Sequence, residues 1–452
     1  MSDAMKNPAG TLGARLDALP LGTWHKTLLF VCFLGVMIEN YSQITLPLAM
    51  PVIIGQWHLK PFMIGVLISA SSLGLLVGAL VFGILTDIIG RKRVFILTTV
   101  VYSVFAALSA FAADFTQLYV LRVAAGLGLG GFVPVGMAFV SEFSPARYRG
   151  RFTAIFSIGN GVGYVLAVLA SMFLVPASPE GWRWVLGLGA LGLLLVPVIA
   201  AALPESVRWL VSRGEIDRAA AIVDQLERRI LGAPTMERAA AIAEARASAP
   251  SPAGGRSGLA GTRALFGKDL WKHTILAMIV WFVASYTFYG FILWMPSFLT
   301  QQMGYELTKG YWFTLVAALV GTGTPALVVG YASDRIGRRR TMSLCMAAYA
   351  VFGLVFYWLG GYSILFLYWF SSGMASMTYV YTPELFPNRL RGTGIGFASS
   401  VGRFASFIAP MAIGLIVAAG GLFGVLAVNA VLLAGGIAAM RLLGAETKGA
   451  GI

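Results

Sequence analysis

The stretch "GILTDIIGRKR" at residues 83–93 returns as "GYASDRIGRRR" at 330–340, 247 residues later. Both copies keep Gly, Asp, Gly and Arg at the same offsets and close on three basic residues. A second pair follows in the same order: "SEFSPARYRGR" (141–151) is echoed by "PELFPNRLRGT" (383–393), 242 residues on. Each copy sits at the end of a long apolar run. A chain that repeats two polar loops between apolar runs reads as two like halves in parallel order.

The composition fits. Of 452 residues, 58% are hydrophobic and only 12% charged, and the mean hydropathy is +0.80. A soluble chain carries about 25% charge. Twelve apolar spans can be drawn, at about 28–54, 61–86, 94–113, 117–140, 150–175, 184–203, 273–300, 310–332, 341–360, 363–386, 393–419 and 421–441. Each has the length a bilayer requires. The expected organisation is a cytoplasmic segment 1–27, a six-helix bundle 28–203, a cytoplasmic linker with short helices 204–272, a second bundle 273–441 and a tail 442–452. Within the linker "EIDRAAAIVDQLERRI" is the best helix, and "PTMERAAAIAEARASAPSPAGGRSG" mixes an Ala-rich pattern with Pro, Ser and Gly.

The net charge of +14 raises nucleic acid as a partner, but the Lys and Arg sit in short loops. Arg91 to Arg93, Arg147 to Arg151, Arg338 to Arg340 and Arg389/Arg391 all fall on one side of a twelve-span chain, which puts both termini in the cytoplasm. No nucleic-acid partner is expected. Cys32 and Cys345 lie in apolar runs and read as small core residues. No signal peptide or lipidation signal is expected at the ends.

These motifs resemble the major facilitator superfamily over essentially the whole chain. Gly83-x-x-x-Asp87-x-x-Gly90-Arg91-Lys92-Arg93 resembles its cytoplasmic loop signature. Arg122-x-x-x-Gly126-x-Gly128-x-Gly130 resembles a motif of its proton-coupled importers, and "PESVRWL" (204–210) and "YTPELFPNRLRGTG" (381–394) are similar to sugar porters and their relatives. "YGFILWMP" (289–296) looks closer to the aromatic-acid and nicotinate:proton symporters, since the paired Gln of sugar porters is missing there. Aromatic-acid symporters show D-G-x-D in span one. Here Glu39-Asn40-Tyr41-Ser42 keeps the first acid in longer form and replaces the second by Ser42. The resemblance implies an all-α membrane protein of two six-helix bundles around a central site.

Glu39 is the single acid of span one, where a charge costs about 2.5–3.5 kcal/mol on insertion scales. It reads either as a helix tie paired with an Arg or as a proton acceptor in a cavity. Tyr41 and Gln43 add hydrogen-bonding groups, although spacing turns Tyr41 and Thr45 to one side and Glu39 and Gln43 to another. Arg122 shares a stripe with Gly126 and Gly130. It reads as a tie between bundles, or as the charge that biases the proton site or meets an anionic substrate. Arg403 in span eleven either snorkels to the headgroups or binds a carboxylate with its fork. Trp281, Tyr286, Tyr289 and Tyr379 are candidates to stack on a flat ligand. Asn160 either faces the cavity or ties helices. Asp87, Arg91, Glu142, Arg147, Asp334, Arg338, Glu384 and Arg389 look like cytoplasmic gate residues that hold the two bundles shut on the inside while the cavity faces out.

No Cys/His/acid cluster has metal spacing, and no nucleophile/base constellation is visible, so an enzyme is not expected. The glycines at 126–131 follow no strand and do not form a phosphate loop. The reading is a secondary active transporter in the inner (plasma) membrane. It would be a monomer without cofactor, taking up a small organic anion, aromatic or heteroaromatic, with protons. Symport of a sugar or polar metabolite and proton-coupled export of organic ions or drugs are the alternatives.

Overall fold

The structure, a computed structural model, describes residues 8–235, 262–321 and 323–447; the Ala-rich half of the linker lies outside them. Among the described residues the regular elements are all helical, and ten helices are long and apolar enough to cross a membrane. The first nine apolar spans correspond to Thr23–Trp57, Pro61–Ile89, Arg91–Ser109, Phe115–Phe143, Ala146–Leu174, Gly181–Ala202, Trp271–Gln302, Leu307–Ile336 and Arg338–Leu359. Ser363–Glu384 covers the tenth, and its Ser, Thr and Tyr content makes it less apolar than those ten. Arg391–Leu443 covers the last two and is broken at Gly421, whose φ of 57° and ψ of −154° no helix contains.

Local chemistry places the ends. Pro61 opens span two at a helix N-terminus, where its missing N–H is no loss. Gly90 and Gly337 both have φ 98°, and there the chain turns from span two into three and from eight into nine. A side chain is strained at that φ, so the repeated Gly of the opening motif is a turn requirement. Two spans are less regular than their sequences imply. Span six runs through a 3₁₀ stretch, Leu188–Leu194, and span eight is interrupted between Gly321 and Thr324.

Packing inside the first half depends on missing side chains. A Cβ on Gly126 would lie 2.4 Å from the Ser71 carbonyl, one on Gly130 2.3 Å from the Leu75 carbonyl, and one on Gly128 2.5 Å from the Tyr102 nitrogen. The glycine motif therefore seats span four on spans two and three, as small residues do where lipid offers no hydrophobic drive. Large apolar side chains such as Leu80, Ile84, Phe111, Phe173 and Leu327 point outward, each more than 60% exposed, as a lipid-facing surface requires.

The halves meet at the end away from the basic clusters. Gly65 of span two lies against the backbone of Pro410 and Met411, and Gly414 against Pro61 and Phe62. The Tyr311 hydroxyl donates to the Leu48 carbonyl at 2.6 Å, and Tyr164 stacks on Tyr368 at 6.0 Å. The space between the halves is thus closed at that end and opens toward the basic end.

Candidate functional site

One cavity of about 360 Å³ lies between the halves. Span one supplies Glu39, Asn40 and Gln43, span two Ser72, and span five Asn160. The second half supplies Trp281, Ser285, Phe288 and Tyr289 from span seven, Thr378 and Tyr379 from span ten, and Arg403 and Ser406 from span eleven. A second cavity of about 290 Å³ adjoins it, sharing Asn40, Gln43, Asn160, Phe288 and Tyr289 and reaching the interruption of span eight at Gly321 and Gly323.

Glu39 is 2% exposed, and its Oε2 has no hydrogen-bond partner. Arg403 lines the same cavity from the opposite half, close enough for its charge to act on Glu39, yet the two form no direct ion pair among the described residues. Span eleven comes this close because position 402 is Gly; a Cβ there would lie 2.8 Å from both Trp281 and Ser285 side-chain atoms. Trp281 is fixed by its indole N–H, which donates to Thr382 Oγ1 at 2.8 Å, and it meets Tyr379 edge-on at 4.9 Å. Tyr289 and Phe288 meet edge-on at 5.1 Å. The cavity therefore holds an acid, a guanidinium and a set of aromatic rings, with amides and hydroxyls between them. Asn160, open on sequence, lines both cavities.

Three sequence expectations are corrected. Tyr41 does not line the cavity: its hydroxyl donates to the Val185 carbonyl at 3.0 Å inside the first half, on the helix side opposite Glu39. Tyr286 stacks on Phe282 and packs with Ala405 and Ala409, and is not among the residues that line the cavity. Arg122 is fully buried within the first half and touches neither cavity. Its Nη2 donates to the Ser42 carbonyl at 2.6 Å and its Nε to Ser71 Oγ at 3.2 Å. It ties spans one, two and four, and is not a tie between bundles.

In this structure the expected gate residues pair within each half. Arg91 pairs with Glu142, which accepts further bonds from Ser206 Oγ and from the Arg208 N–H at 2.9 Å. Arg338 pairs with Asp334 at 2.8 Å and with Glu384 at 3.2 Å, and Thr447 donates to Glu384. Each network stays inside one half. Asp87, Arg147 and Arg389 are exposed side chains, and none makes an ion pair across the halves among the described residues.

Two carboxylates that sequence reading missed complete these networks. Glu205 Oε1 accepts from the Lys92 N–H at 3.0 Å, and Glu446 Oε1 from the Arg338 N–H at 2.8 Å. Each caps the helix that starts after a φ 98° glycine, where an anion meets free N–H groups. Their signal was present: Glu205-Ser206 and Glu446-Thr447 follow the last span of each half, 241 residues apart. On the same side the N-terminal helix Pro8–Ala18 is clasped by helix Ile216–Leu231, with Arg15 Nη2 2.7 Å from Asp224 and 2.6 Å from Glu227. Burial works against these charges. The hydrogen bonds from Arg15 and Thr235 outweigh it and hold the Glu227 carboxyl below the usual carboxylate range.

Two repeated helical halves around one polar cavity, closed at one end and open at the other, are the architecture of a transporter. The chain belongs to the sugar (and other) transporter family, whose model matches residues 39–452, within the major facilitator superfamily. Its relatives and fold are those of transporters and not of enzymes. It is 33% identical to the niacin transporter NiaP of Acinetobacter baylyi, over 97% of this chain and 98% of that protein. It is 27% identical to the inner membrane metabolite transport protein YgcS of Escherichia coli, over 97% and 95%. Among solved structures it is similar to the inward-open xylose transporter XylE of E. coli (TM-score 0.72, 17% identity, 94% of this chain and 98% of that one). A bacterial homolog of the lysosomal transporter Spinster gives a TM-score of 0.69 at 16% identity, over 94% and 98%.

Proposed function

We propose that this protein is a proton-coupled importer of an aromatic or heteroaromatic monocarboxylate of the nicotinate kind, working by alternating access in the inner (plasma) membrane. The basic end of the molecule is taken as cytoplasmic, which makes the conformation described here open to the inside. The observation that carries the reading is Glu39 and Arg403 facing one cavity from opposite halves, with Trp281, Tyr289 and Tyr379 on its walls. An Arg fork binds a carboxylate in register. Aromatic rings take the flat face of the acid. A protonated Glu39 leaves Arg403 free for the substrate. Once the proton leaves, Glu39 competes for Arg403 and favours release. The 33% identical relative is named for niacin, which agrees with this chemistry.

The chain would act as a monomer, with the proton gradient as its only energy source. Nicotinate and its uncharged amide, titrated against purified protein, test the substrate reading. Nicotinate should bind at least about tenfold more tightly, as loss of a charge-assisted bond costs about 1.5–3 kcal/mol, and Arg403→Gln should erase the difference. Equal binding of the amide, or competition by a sugar or an organic cation alone, would turn the assignment to the other substrate classes.

A further inference from the structure

The two walls of the main cavity differ in what their polar groups already hold. On the second-half wall the hydroxyls of Thr378, Ser399 and Ser406 donate to carbonyls of their own helices, and the Trp281 indole N–H is held by Thr382. The first-half wall carries three side-chain amides: Asn40 and Gln43 of span one and Asn160 of span five. Among the described residues the Asn40 and Gln43 amides have no hydrogen-bond partner. Asn160 donates only to the Ser157 carbonyl of its own helix, at a long 3.4 Å.

Packing gathers these amides. Spans one and five meet through glycines: a Cβ on Gly159 would lie 2.5 Å from Val36 Cγ1, and one on Gly163 3.1 Å from Asn40 Cβ. Asn160 follows Gly159 directly, so it stands beside the part of span one that carries Asn40. Gln43 is three residues beyond Asn40, on the same face of that helix. All three also line the adjoining cavity, together with Phe288 and Tyr289. The wall shared by the two cavities is thus part amide and part aromatic, while Arg403 faces the main cavity from the other half.

An amide brings two N–H donors for each carbonyl acceptor, and a guanidinium brings donors alone. The polar groups free to meet a ligand here are therefore mostly donors. A ligand that displaces water from such groups and returns no hydrogen bond loses affinity. That is how a polar site rejects an analogue lacking one group. A plain benzene ring returns nothing to these amides, whereas a pyridine-type nitrogen is an acceptor in the plane of the ring.

We propose that Asn40, Gln43 and Asn160 select the ring of the substrate: the site takes a heteroaromatic monocarboxylate with an acceptor nitrogen away from the carboxylate, and discriminates against plain aryl acids. The inference rests on the anion reading and narrows it. Arg403 takes the carboxylate and the amides take the far side of the ring. A nitrogen next to the carboxylate lies on the Arg403 side and gains nothing from the amides. One at the meta or para position is turned away from the carboxylate and toward them.

The test titrates purified protein with nicotinate, benzoate and picolinate, which share charge and size. Nicotinate should bind about tenfold more tightly than either, the loss expected when neutral polar groups are left unpaired. Asn40→Leu, Gln43→Met and Asn160→Leu replace each amide by an apolar group of like size. In at least one of them nicotinate affinity should fall to within about twofold of benzoate affinity, while benzoate affinity holds or rises. Benzoate binding then reports a folded site, and alanine at the same position replaces any variant that does not fold. Benzoate or picolinate binding the wild-type protein as tightly as nicotinate would overturn the selection. So would a nicotinate preference that survives in all three variants and in their combination, or a parallel loss of both acids in every folded variant. Failure of the anion reading itself looks different: nicotinamide, which keeps the ring nitrogen and lacks the charge, would bind as tightly as nicotinate.

Discussion

Gly65→Ala is the most direct mechanical perturbation of the closed end. A Cβ at this position would lie 2.2 Å from the Pro410 carbonyl oxygen, 2.9 Å from its carbon and 3.0 Å from the Met411 Cα. All three are backbone atoms, so no side chain can turn aside. Ordinary contact is about 3.5 Å, so spans two and eleven must separate by about 1 Å. Overpacking of this kind costs about 1–3 kcal/mol. The cost is paid only where these ends touch, so it acts on the balance between conformers. It shifts that balance about 5- to 150-fold toward the state open at this end. Spin labels on Lys60→Cys and Glu306→Cys, in loops of opposite halves at the closed end, should report longer distances. Labels on Arg93→Cys and Arg339→Cys at the basic end should move closer. Unchanged distributions at both ends, with a folded protein, would refute the claim that Gly65 and Gly414 form the closing contact.

Other expectations concern separate parts of the molecule. Glu142→Ala should lower the melting temperature in detergent by several degrees and more than Glu384→Ala does, because Glu142 is buried and leaves Arg91, Ser206 and the Arg208 N–H unpaired, each worth about 1–3 kcal/mol. Equal shifts would mean the two networks are equivalent. Tyr286→Phe should change nicotinate affinity less than about twofold, while Trp281→Ala should weaken it about tenfold; the reverse order would place Tyr286 in the site. The clasp between Arg15 and Glu227 sets a pH window. The Glu227 carboxyl titrates lower when folded, so the stabilisation is present above the free-carboxyl value of about 4.3 and is lost as pH falls through the lower folded value. Limited proteolysis between residues 8 and 18 should therefore be slow from neutral pH down to about 5 and fast in stronger acid, and fast at every pH in Arg15→Ala.

Much of the fold was legible because it is written in long periods. Twelve apolar runs and two repeated loops are signals of tens of residues, and the φ 98° glycines fall inside the repeat itself. The site was less legible, and particular residues show why. Glu39 and Arg403 stood out because charge inside an apolar run is rare. Tyr41 and Tyr286 were put in the site by composition, yet side-chain direction decides. The i, i+4 spacing already turned Tyr41 away from Glu39. Arg122 carries the same charge as Arg403 but is consumed by a serine carbonyl and a hydroxyl, contacts made from spans 80 and 51 residues away. Ser285 and Thr378 line the cavity and carry no local signal at all. Glu205 and Glu446 were readable as a repeat, but only against the turns they cap. The gate was expected to bridge the halves only while the cavity faces out, and in this structure its ion pairs stay within each half.

If Glu39 carries the proton that drives uptake of the aromatic acid, as proposed, protons must move together with that uptake. Proteoliposomes loaded with a pH-sensitive dye should acidify inside when nicotinate is added to wild-type protein, and nicotinate should accumulate above its outside concentration. Glu39→Gln should bind nicotinate and exchange it in counterflow with neither acidification nor accumulation. Accumulation at the wild-type level by Glu39→Gln, with acidification intact, would contradict it.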